Sequence, residues 1–559
     1  MLNFTQDGPV AEADKWKQRL DLIEATQRSQ RCQGCEGYEK TEGCICERQN
    51  IGAQYGGEKN MKIFRVVQIV SVHLVLATWV LSQDKPVQLT INWNNVVSTS
   101  KTTATLQVVV NPPLRRGTSV HDNAFQALHD LGADYVRYVP WLPYPKLGVA
   151  ELEPPTGGKT SWDFSLIDPM TIDFLEATKG HPVTLNFSTI PQWMFKTGEN
   201  KYPDDPNQVV WDYEKGLDFR DPTFKEAADY YARLISWYTQ GGFTDEAGKR
   251  HDSGHHYKVT HWEVLNEPDL ERNISPEIYT KFYDAVVTAM GKASPDTKFV
   301  ALGLAMPSQL PQYFEYFLNP KNHKQGIPLD WISYHFYAIP TVDQTPEIQQ
   351  FTFFAQADGF LNTVRYVETI RKRLSPNTRT MVNELGAISA DDLTQGEPGH
   401  ITQPIPSSYW GLTGAMYAYL FQEFTKMGID VAGESQLVGY PTQFPSVSMV
   451  DWENGKPNPR FWVLKLIKDN FGPGDKVVSI DGDRSPFVSS LALITKGGKK
   501  RVLLVNKRDR PMTVNIPSAS GGSETYADQT TGFDPPATKP VTSDDIQLKG
   551  YSVSAVTLP

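Results

Sequence analysis

Eight short apolar runs alternate with helical patterns along this 559-residue chain, and that alternation is the strongest constraint on its fold. Strands joined through helices pair in parallel, because each connection must cross over the sheet. We therefore predict an α/β fold in which eight parallel strands close a (β/α)8 TIM barrel. The predicted strands are residues 107–111, 135–139, 183–187, 261–266, 299–303, 331–334, 380–383 and 431–434.

The regions flanking the barrel have the pattern of a second, β-rich domain. After a Gly-Pro-Gly break at residues 472–474, short β-type runs separated by turns predict a C-terminal β-sandwich accessory domain. An alternating run at residues 88–93 precedes the barrel, and a single strand cannot bury its own apolar face. We expect residues 83–104 to join the sandwich, residues 105–472 to form the barrel and residues 473–559 to complete the sandwich.

The first 60 residues are polar and contain all four cysteines of the chain, Cys32, Cys35, Cys44 and Cys46. Four thiolates can bind zinc, but only one residue separates the second pair, which is narrower than the usual spacing of structural zinc sites. We interpret residues 1–60 as a non-native or disordered extension.

Residues 61–82 have the pattern of a secretory signal peptide placed after that extension. Met61 and two basic residues precede a mostly apolar stretch, and small residues come just before Gln83, the predicted first mature residue. The alternative is a type II membrane anchor, although the stretch contains polar residues and is shorter than the ~20 residues of a spanning helix. We predict a secreted protein without stable membrane insertion after cleavage, of undetermined oligomeric state.

The charge pattern excludes some classes of partner. The formal net charge is −10, and Lys and Arg are not concentrated in any tract, so we expect neither nucleic acid nor an anionic membrane surface as a partner. Apart from the four cysteines, the sequence has no metal-ligand cluster, and it has no phosphate-binding glycine loop or Ser-His-Asp pattern. We therefore predict no metal and no cofactor.

Two of the predicted strands lead into a carboxylate. Glu267 follows the apolar run that starts at Thr260, and Glu384 follows the run that starts at Thr380. Catalytic residues of barrel enzymes lie at these strand ends. Cleavage of a glycosidic bond needs one carboxyl that exchanges a proton and another that attacks the anomeric carbon or activates water. The pair therefore predicts a carbohydrate substrate.

Four strand-end sequences also carry a family resemblance. The sequence Trp-Glu-Val-Leu-Asn-Glu-Pro at residues 262–268 resembles the fourth-strand signature of clan A retaining glycoside hydrolases, and Val-Asn-Glu-Leu-Gly at residues 382–386 resembles their seventh-strand nucleophile segment. Residues 331–337 resemble the sixth strand, and residues 135–137 the second. The combination is most similar to glycoside hydrolase family 39, which includes β-xylosidases and α-L-iduronidases, and less similar to the heparanase-like family 79.

The resemblance implies roles for three charged side chains. Glu267 is expected to be the general acid/base, which must be protonated near neutral pH. Glu384 is expected to be the nucleophile, which must stay ionised. Arg137, at the end of the second strand, is expected to lower the pKa of Glu384. The alternative for Arg137 is an ordinary structural ion pair at the edge of the core.

The resemblance also implies polar contacts around the sugar. His335 and Tyr337 are expected to hydrogen bond with the nucleophile and the substrate, although a lone histidine is more often structural. Asn266 is expected to contact the hydroxyl next to the anomeric carbon, where hydrogen bonds tighten in the transition state.

The eighth strand departs from the family pattern. An aromatic platform is expected there, but the sequence at residues 433–437 is Gly-Glu-Ser-Gln-Leu. Glu434 is predicted to recognise a sugar hydroxyl, with a buried structural carboxylate as the alternative. Trp193 is predicted to contact the substrate, and Trp141 and Trp410 are further stacking candidates.

These features together predict a secreted retaining glycoside hydrolase with a double-displacement mechanism. The alternatives are a carbohydrate-binding pseudoenzyme on the same fold and a family 79-like β-glucuronidase. The identity of the sugar, its linkage and the choice between exo and endo action are left open by the sequence.

Overall fold

The computed structural model describes residues 85–196, 202–211, 213, 218–340, 344, 346–395, 400–482 and 485–559. The predictions for the cysteines, for the signal peptide and for residues 1–82 as a whole fall outside the described residues. Of the helices within those ranges, none is long and apolar enough to cross a membrane.

Strands dominate the two ends of the described chain, and strands and helices alternate between them. The strands are β1 (Val87–Gln88), β2 (Thr90–Thr99), β3 (Thr103–Val109), β4 (Val136–Val139), β5 (Val183–Leu185), β6 (Gly242–Thr244), β7 (Arg250–Asp252), β8 (His261–Glu263), β9 (Lys298–Leu304), β10 (Trp331–Ala338), β11 (Arg379–Ala387), β12 (Val431–Glu434), β13 (Lys476–Asp481), β14 (Val488–Ile494), β15 (Lys500–Asn506), β16 (Met512–Asn515), β17 (Ser523–Ala527), β18 (Ala537–Pro540), β19 (Asp545–Leu548) and β20 (Val553–Thr557). The helices are α1 (His121–Leu131), α2 (Asp168–Ala177), α3 (Lys225–Thr239), α4 (Pro276–Ala293), α5 (Pro311–Phe317), α6 (Pro346–Leu374), α7 (Ser407–Met427) and α8 (Pro459–Asn470).

Eight parallel strands of the described chain form a closed barrel. Its order is β3, β4, β5, β8, β9, β10, β11 and β12, and β12 closes the barrel by pairing Val431 with Thr103 of β3. The strands are mostly apolar and almost fully buried, as expected when helices cover the outer face of a parallel sheet. The predicted (β/α)8 barrel is confirmed, and each predicted strand overlaps one barrel strand.

The strand ends differ from the predictions in a way that matters for function. β10 and β11 continue to Ala338 and Ala387 because their backbones stay paired, for example at Tyr337 and Gly386. β8 ends earlier than predicted, at Glu263, because the chain turns at Leu265, whose φ is 66°. As a result, the side chains of β10 and β11 near the barrel mouth are held by paired backbone, not by loops.

Local sequence signals define several helix ends. The Ser275 side chain caps α4 by accepting a hydrogen bond from the Ile278 amide, and Asn458 caps α8 in the same manner. At the other end of α7, Gly428 adopts a left-handed conformation with a φ of 78°, which glycine tolerates best. These caps fix where each helix starts and stops relative to the barrel.

The accessory domain contains two sheets and uses both ends of the described chain. Seven strands follow the order β18, β17, β20, β15, β14, β13 and β2, and three follow the order β1, β16 and β19. β2 pairs antiparallel with β13, which places Ile91 opposite Ile480. Leu89 is buried in a shared core with Val478, Leu504 and Val514. The N-terminal strand segment therefore contributes to the core of the predicted sandwich.

Helices α7 and α8 connect the sandwich to the barrel. The buried Gln422 amide of α7 donates a hydrogen bond to the Leu503 carbonyl of β15 at 2.8 Å. Trp462 of α8 donates to the Phe533 carbonyl at 2.9 Å. The sandwich thus supports the outer side of two barrel helices, whereas the catalytic candidates lie at the barrel mouth.

Candidate active site

The Asn-Glu-Pro segment turns sharply at the end of β8. Leu265 and Glu267 both have positive φ values, 66° and 39°, and such conformations of non-glycine residues cost about 1–3 kcal/mol each and cluster at functional sites. The Glu267 amide donates to the Gly303 carbonyl of β9 at 3.0 Å. This turn directs Asn266 and Glu267 into the barrel mouth on a fixed backbone.

Glu267 and Glu384 approach each other closely at the mouth. A carboxylate oxygen of each and Nδ1 of His335 all lie within 4.8 Å of one another. Both carboxylates are largely buried, with 7% of each residue exposed. Carboxyl groups separated by about 5–5.5 Å are typical of retaining glycosidases, whereas inverting enzymes leave about 6.5–9.5 Å for a water molecule. The two carboxylates are therefore close enough to act on the same bond.

Two donors hold the Glu384 carboxylate. Arg137 Nη1 donates to its Oε1 at 2.5 Å, and the Tyr337 hydroxyl donates to its Oε2 at 2.6 Å. Burial alone would raise the pKa of Glu384, but His335, Arg137 and Tyr337 together outweigh burial and hold the pKa below its ordinary value. Glu384 is therefore an ionised carboxylate with a defined orientation.

His335 lies between the two carboxylates. It is the register partner of Glu384 across β10 and β11, just after an irregularity between Tyr334 and His335 that re-aims the side chain. Its Nδ1 is 3.0 Å from Glu267 and 3.6 Å from Glu384. Burial works to lower the pKa of His335, but Glu384 and Glu267 raise it above the ordinary value. His335 therefore links the pair electrostatically.

The same three side chains present donor atoms of the kind that bind a divalent cation. However, the positively charged guanidinium of Arg137 already occupies one oxygen of Glu384 at 2.5 Å. A second cation on this carboxylate would be repelled. The arrangement therefore favours proton exchange over metal binding.

Arg137 organises the floor of the site. It is 1% exposed, and besides Glu384 it donates to Glu263 at 2.5 Å, to Gln107 at 2.7 Å and to Asn266 at 2.6 Å. Its guanidinium thus connects the first, second, fourth and seventh barrel strands. The two alternatives considered from sequence are both present, because Arg137 pairs with a structural carboxylate and with Glu384.

Sequence reasoning missed that structural carboxylate. Glu263 points into the barrel interior, where it also accepts hydrogen bonds from Asn186 at 2.6 Å, from Asn383 at 2.8 Å and from the Ser333 hydroxyl. The available signal was a charged residue inside an otherwise apolar run. Such a residue on a buried strand must be paired, because an isolated buried charge is too costly.

The predicted substrate contact of Glu434 is wrong. Glu434 has no exposed surface, and Arg460 of α8 donates to its Oε1 at 2.9 Å. Burial raises the pKa of Glu434 to about 7, although Arg460 lowers it. The eighth strand reaches the site through the next residue, since Ser435 Oγ lies 2.7 Å from the Tyr337 hydroxyl. Ser435 is a positioning residue that the sequence did not reveal.

Two of the predicted stacking residues are used in packing. Trp193 donates its indole N–H to the Glu151 carbonyl at 2.9 Å, and the Arg220 guanidinium covers its ring at 4.4 Å. Trp410 is 5% exposed and contacts Tyr409 edge-on. Packing contacts therefore account for Trp193 and Trp410, in place of the predicted sugar stacking. Trp141 differs from these two in being linked to a predicted substrate-binding residue. Its N–H donates at 2.6 Å to Glu271, which also accepts a hydrogen bond from Asn266.

The carboxyl group of Glu151 makes a pH-dependent contribution to stability. It is fully buried, and its two oxygens have no hydrogen-bond partner among the described residues. Burial raises the pKa of Glu151 from 4.5 to about 8, and nearby Glu246 adds to the increase. Because the folded pKa is the higher one, folding favours the neutral acid, and this contribution is lost as pH rises from about 4.5 through about 8.

We therefore expect Glu151→Gln, which mimics the neutral acid, to flatten the fall in melting temperature between pH 5 and 8. The exposed neighbour Glu153 provides a matched control, and Glu153→Gln should reproduce the wild-type pH profile. Thermal unfolding across this range measures both. Parallel profiles for wild type and Glu151→Gln would contradict the assignment.

Comparison with known proteins identifies solved structures that share this fold. No family model and no curated protein sequence matches the chain. Solved structures do match. They include a GH51 arabinofuranosidase from Xanthomonas axonopodis pv. citri, with a TM-score of 0.59, 13% identity and coverage of 84% of this chain and 99% of that one. A glucosidase from Croceicoccus marinus matches with a TM-score of 0.55, 14% identity and coverage of 85% and 99%.

A GH30 endoxylanase from Clostridium papyrosolvens matches with a TM-score of 0.51, 15% identity and coverage of 84% and 99%. At these identities the similarity shows a shared fold that spans nearly the whole of each solved chain. The solved structures that share this fold include glycoside hydrolases of families 51 and 30. The resemblance to family 39 stays a prediction.

Proposed function

We propose that this protein is a retaining glycoside hydrolase, related to family 39, in which Glu384 is the nucleophile and Glu267 the general acid/base. The observation that carries the proposal is the close approach of two buried carboxylates whose surroundings differ. Glu384 is held by Arg137 and Tyr337, whereas the hydrogen-bond partner of Glu267 is His335 at 3.0 Å. Such a difference separates the roles of two otherwise equal groups.

The proposed reaction proceeds in two displacements. In the first, a Glu384 oxygen attacks the anomeric carbon, the bond to the leaving oxygen breaks, and Glu267 transfers its proton to that oxygen. In the second, Glu267 takes a proton from water as the water oxygen attacks the anomeric carbon, and the ester to Glu384 breaks. Two inversions give net retention. Arg137 and Tyr337 orient the nucleophile, and their hydrogen bonds stabilise the negative charge that returns to Glu384 when the ester is cleaved.

The test is the stereochemistry of the product. A panel of aryl glycosides, including xylosides, arabinosides, glucosides and glucuronides, identifies a substrate, and proton NMR then follows the anomer that first appears. We expect the first product to have the same anomeric configuration as the substrate. An inverted first product would contradict the proposal. A pseudoenzyme would bind a sugar in calorimetry while releasing no product from any member of the panel.

We further infer that the protein is secreted, which rests on the signal-peptide pattern of residues 61–82. N-terminal sequencing of protein recovered from the medium should give a start near Gln83. Recovery of mature peptides that contain Cys32 or Cys44 would contradict this processing.

A further inference from the structure

Three aromatic side chains from separate loops meet at one side of the barrel mouth. Trp141 follows β4, Trp211 lies in the long connection after β5, and Phe444 follows β12. The rings of Trp141 and Trp211 meet edge to face at 5.4 Å, and Phe444 lies 6.3 Å from Trp141 and 5.9 Å from Trp211. We refer to Trp141, Trp211 and Phe444 as the aromatic wall.

Hydrogen bonds join the loops that carry the wall. The Val210 amide donates to the Pro143 carbonyl at 2.8 Å, which connects the loops after β5 and β4. The Tyr144 hydroxyl lies 2.8 Å from Thr442 Oγ1, which connects the loops after β4 and β12.

The loop after β3 joins the same side, because Arg115 donates to Asn207 at 2.7 Å. The four strands β12, β3, β4 and β5 are consecutive in the barrel. The loops that carry the wall therefore line one continuous side of the mouth.

The wall is coupled directly to the catalytic segment. The Trp141 N–H and the Asn266 amide donate to the same oxygen of Glu271, at 2.6 and 2.8 Å. Asn266 also accepts from Arg137, the residue that holds Glu384. Both the oxygen and the nitrogen of the Asn266 side-chain amide are thus held. Through Glu271, two hydrogen bonds link Trp141 to Asn266, which directly precedes Glu267.

This geometry gives a direction to the bound sugar, and the inference rests on the proposed function. In the proposed reaction the anomeric carbon sits at Glu384, and the resemblance assigns the hydroxyl on the neighbouring carbon to Asn266. The remainder of that ring then extends toward Glu271 and Trp141. A sugar ring presents apolar C–H faces that suit an indole surface. The nonreducing side of the scissile bond therefore points at the closed side of the mouth.

We propose that the aromatic wall closes the glycone side of the site to one sugar unit, and that the enzyme is consequently exo-acting on oligosaccharides. Trp141 contacts the terminal sugar, Glu271 fixes Trp141 relative to Asn266, and Trp211 and Phe444 block a further unit. The leaving chain departs on the opposite side.

The first experiment follows products from a pentasaccharide that carries a fluorescent label at its reducing end, built from whichever sugar the wild-type enzyme cleaves in the aryl glycoside panel. Exo action gives the labelled tetrasaccharide first and then the shorter labelled chains in order. Early appearance of labelled di- and trisaccharide would overturn the inference and leave the proposed function intact. Failure to cleave any glycoside of the panel would instead contradict the proposed function.

The second experiment tests the wall. Trp141→Ala should raise KM for the aryl monoglycoside about 5- to 10-fold, the scale of one lost aromatic contact, with a smaller change in kcat. Trp141→Phe, which keeps an aromatic face, should recover part of this loss.

Trp462→Ala is the matched control. Trp462 is a half-buried tryptophan whose N–H also donates to one acceptor, but it lies at the sandwich. The KM of Trp462→Ala should therefore equal that of the wild-type enzyme. An unchanged KM in a folded Trp141→Ala protein would overturn the inference.

Discussion

Replacement of Glu384 by Gln should lower kcat by about 10⁴-fold or more, the size of loss that follows removal of one member of a catalytic unit. An amide cannot attack the anomeric carbon to give the glycosyl ester, so the first displacement has no nucleophile. The protein should still fold, because Arg137 keeps its pairing with Glu263 at 2.5 Å and the Gln amide has the shape of the carboxylate. The measurement is turnover of the best aryl glycoside, with melting temperature as the check on folding.

The control for this prediction is Glu153→Gln, which removes a carboxylate from the exposed surface and should leave kcat unchanged. Glu384→Ala should be equally inactive, which separates the loss of the nucleophile from any effect of the amide. Activity of folded Glu384→Gln within tenfold of wild type would rule out the nucleophile assignment.

The barrel was predictable because its signal is repeated and local. Each strand is a short apolar run, each connection contains a helix, and buried parallel strands need continuous apolar sequence. Glu267 and Glu384 were found by their position after such runs, which requires no knowledge of their partners. The residue order along the chain then gives the order of strands around the barrel.

The charge network beneath the acid pair was not predictable in the same way. Arg137 and Glu263 are on different strands, far apart in sequence, and their contact depends on register and side-chain direction. Glu434 shows the same limit, because its partner Arg460 is on the helix that follows β12. A carboxylate at a strand end can serve substrate or structure, and the pairing decides between them.

Backbone detail also escaped prediction. The sequence placed Glu384 just after its strand, whereas β11 continues through it to Ala387 because β10 remains paired beside it. In contrast, the sharp turn after Glu263 depends on positive φ values at Leu265 and Glu267, residue types that do not favour that conformation. Tertiary contacts hold these two features, and they determine how the acid pair converges.

Replacement of Glu267 by Ala should affect substrates according to their leaving groups. A poorly activated alkyl or oligosaccharide leaving group needs a proton as the bond breaks, so its rate should fall by about 10²–10⁴-fold, the range of general acid catalysis. A dinitrophenyl group departs without protonation, so the first displacement should be nearly unaffected. The second displacement loses its general base in either case, and the glycosyl ester at Glu384 should accumulate, visible as a burst of dinitrophenolate and as added mass on the protein.

Azide distinguishes this role for Glu267 from a merely structural one. Azide is an anion that attacks without base assistance, and removal of the Glu267 carboxylate leaves room for it next to the anomeric carbon. Added azide should therefore restore turnover of the dinitrophenyl glycoside by Glu267→Ala and yield a glycosyl azide with the anomeric configuration of the substrate. The same salt should not restore Glu384→Ala with this product, because no ester forms there. Equal rate losses for both leaving groups, without azide rescue, would contradict the acid/base role of Glu267. His335, which contacts both carboxylates, would then be the candidate for that role.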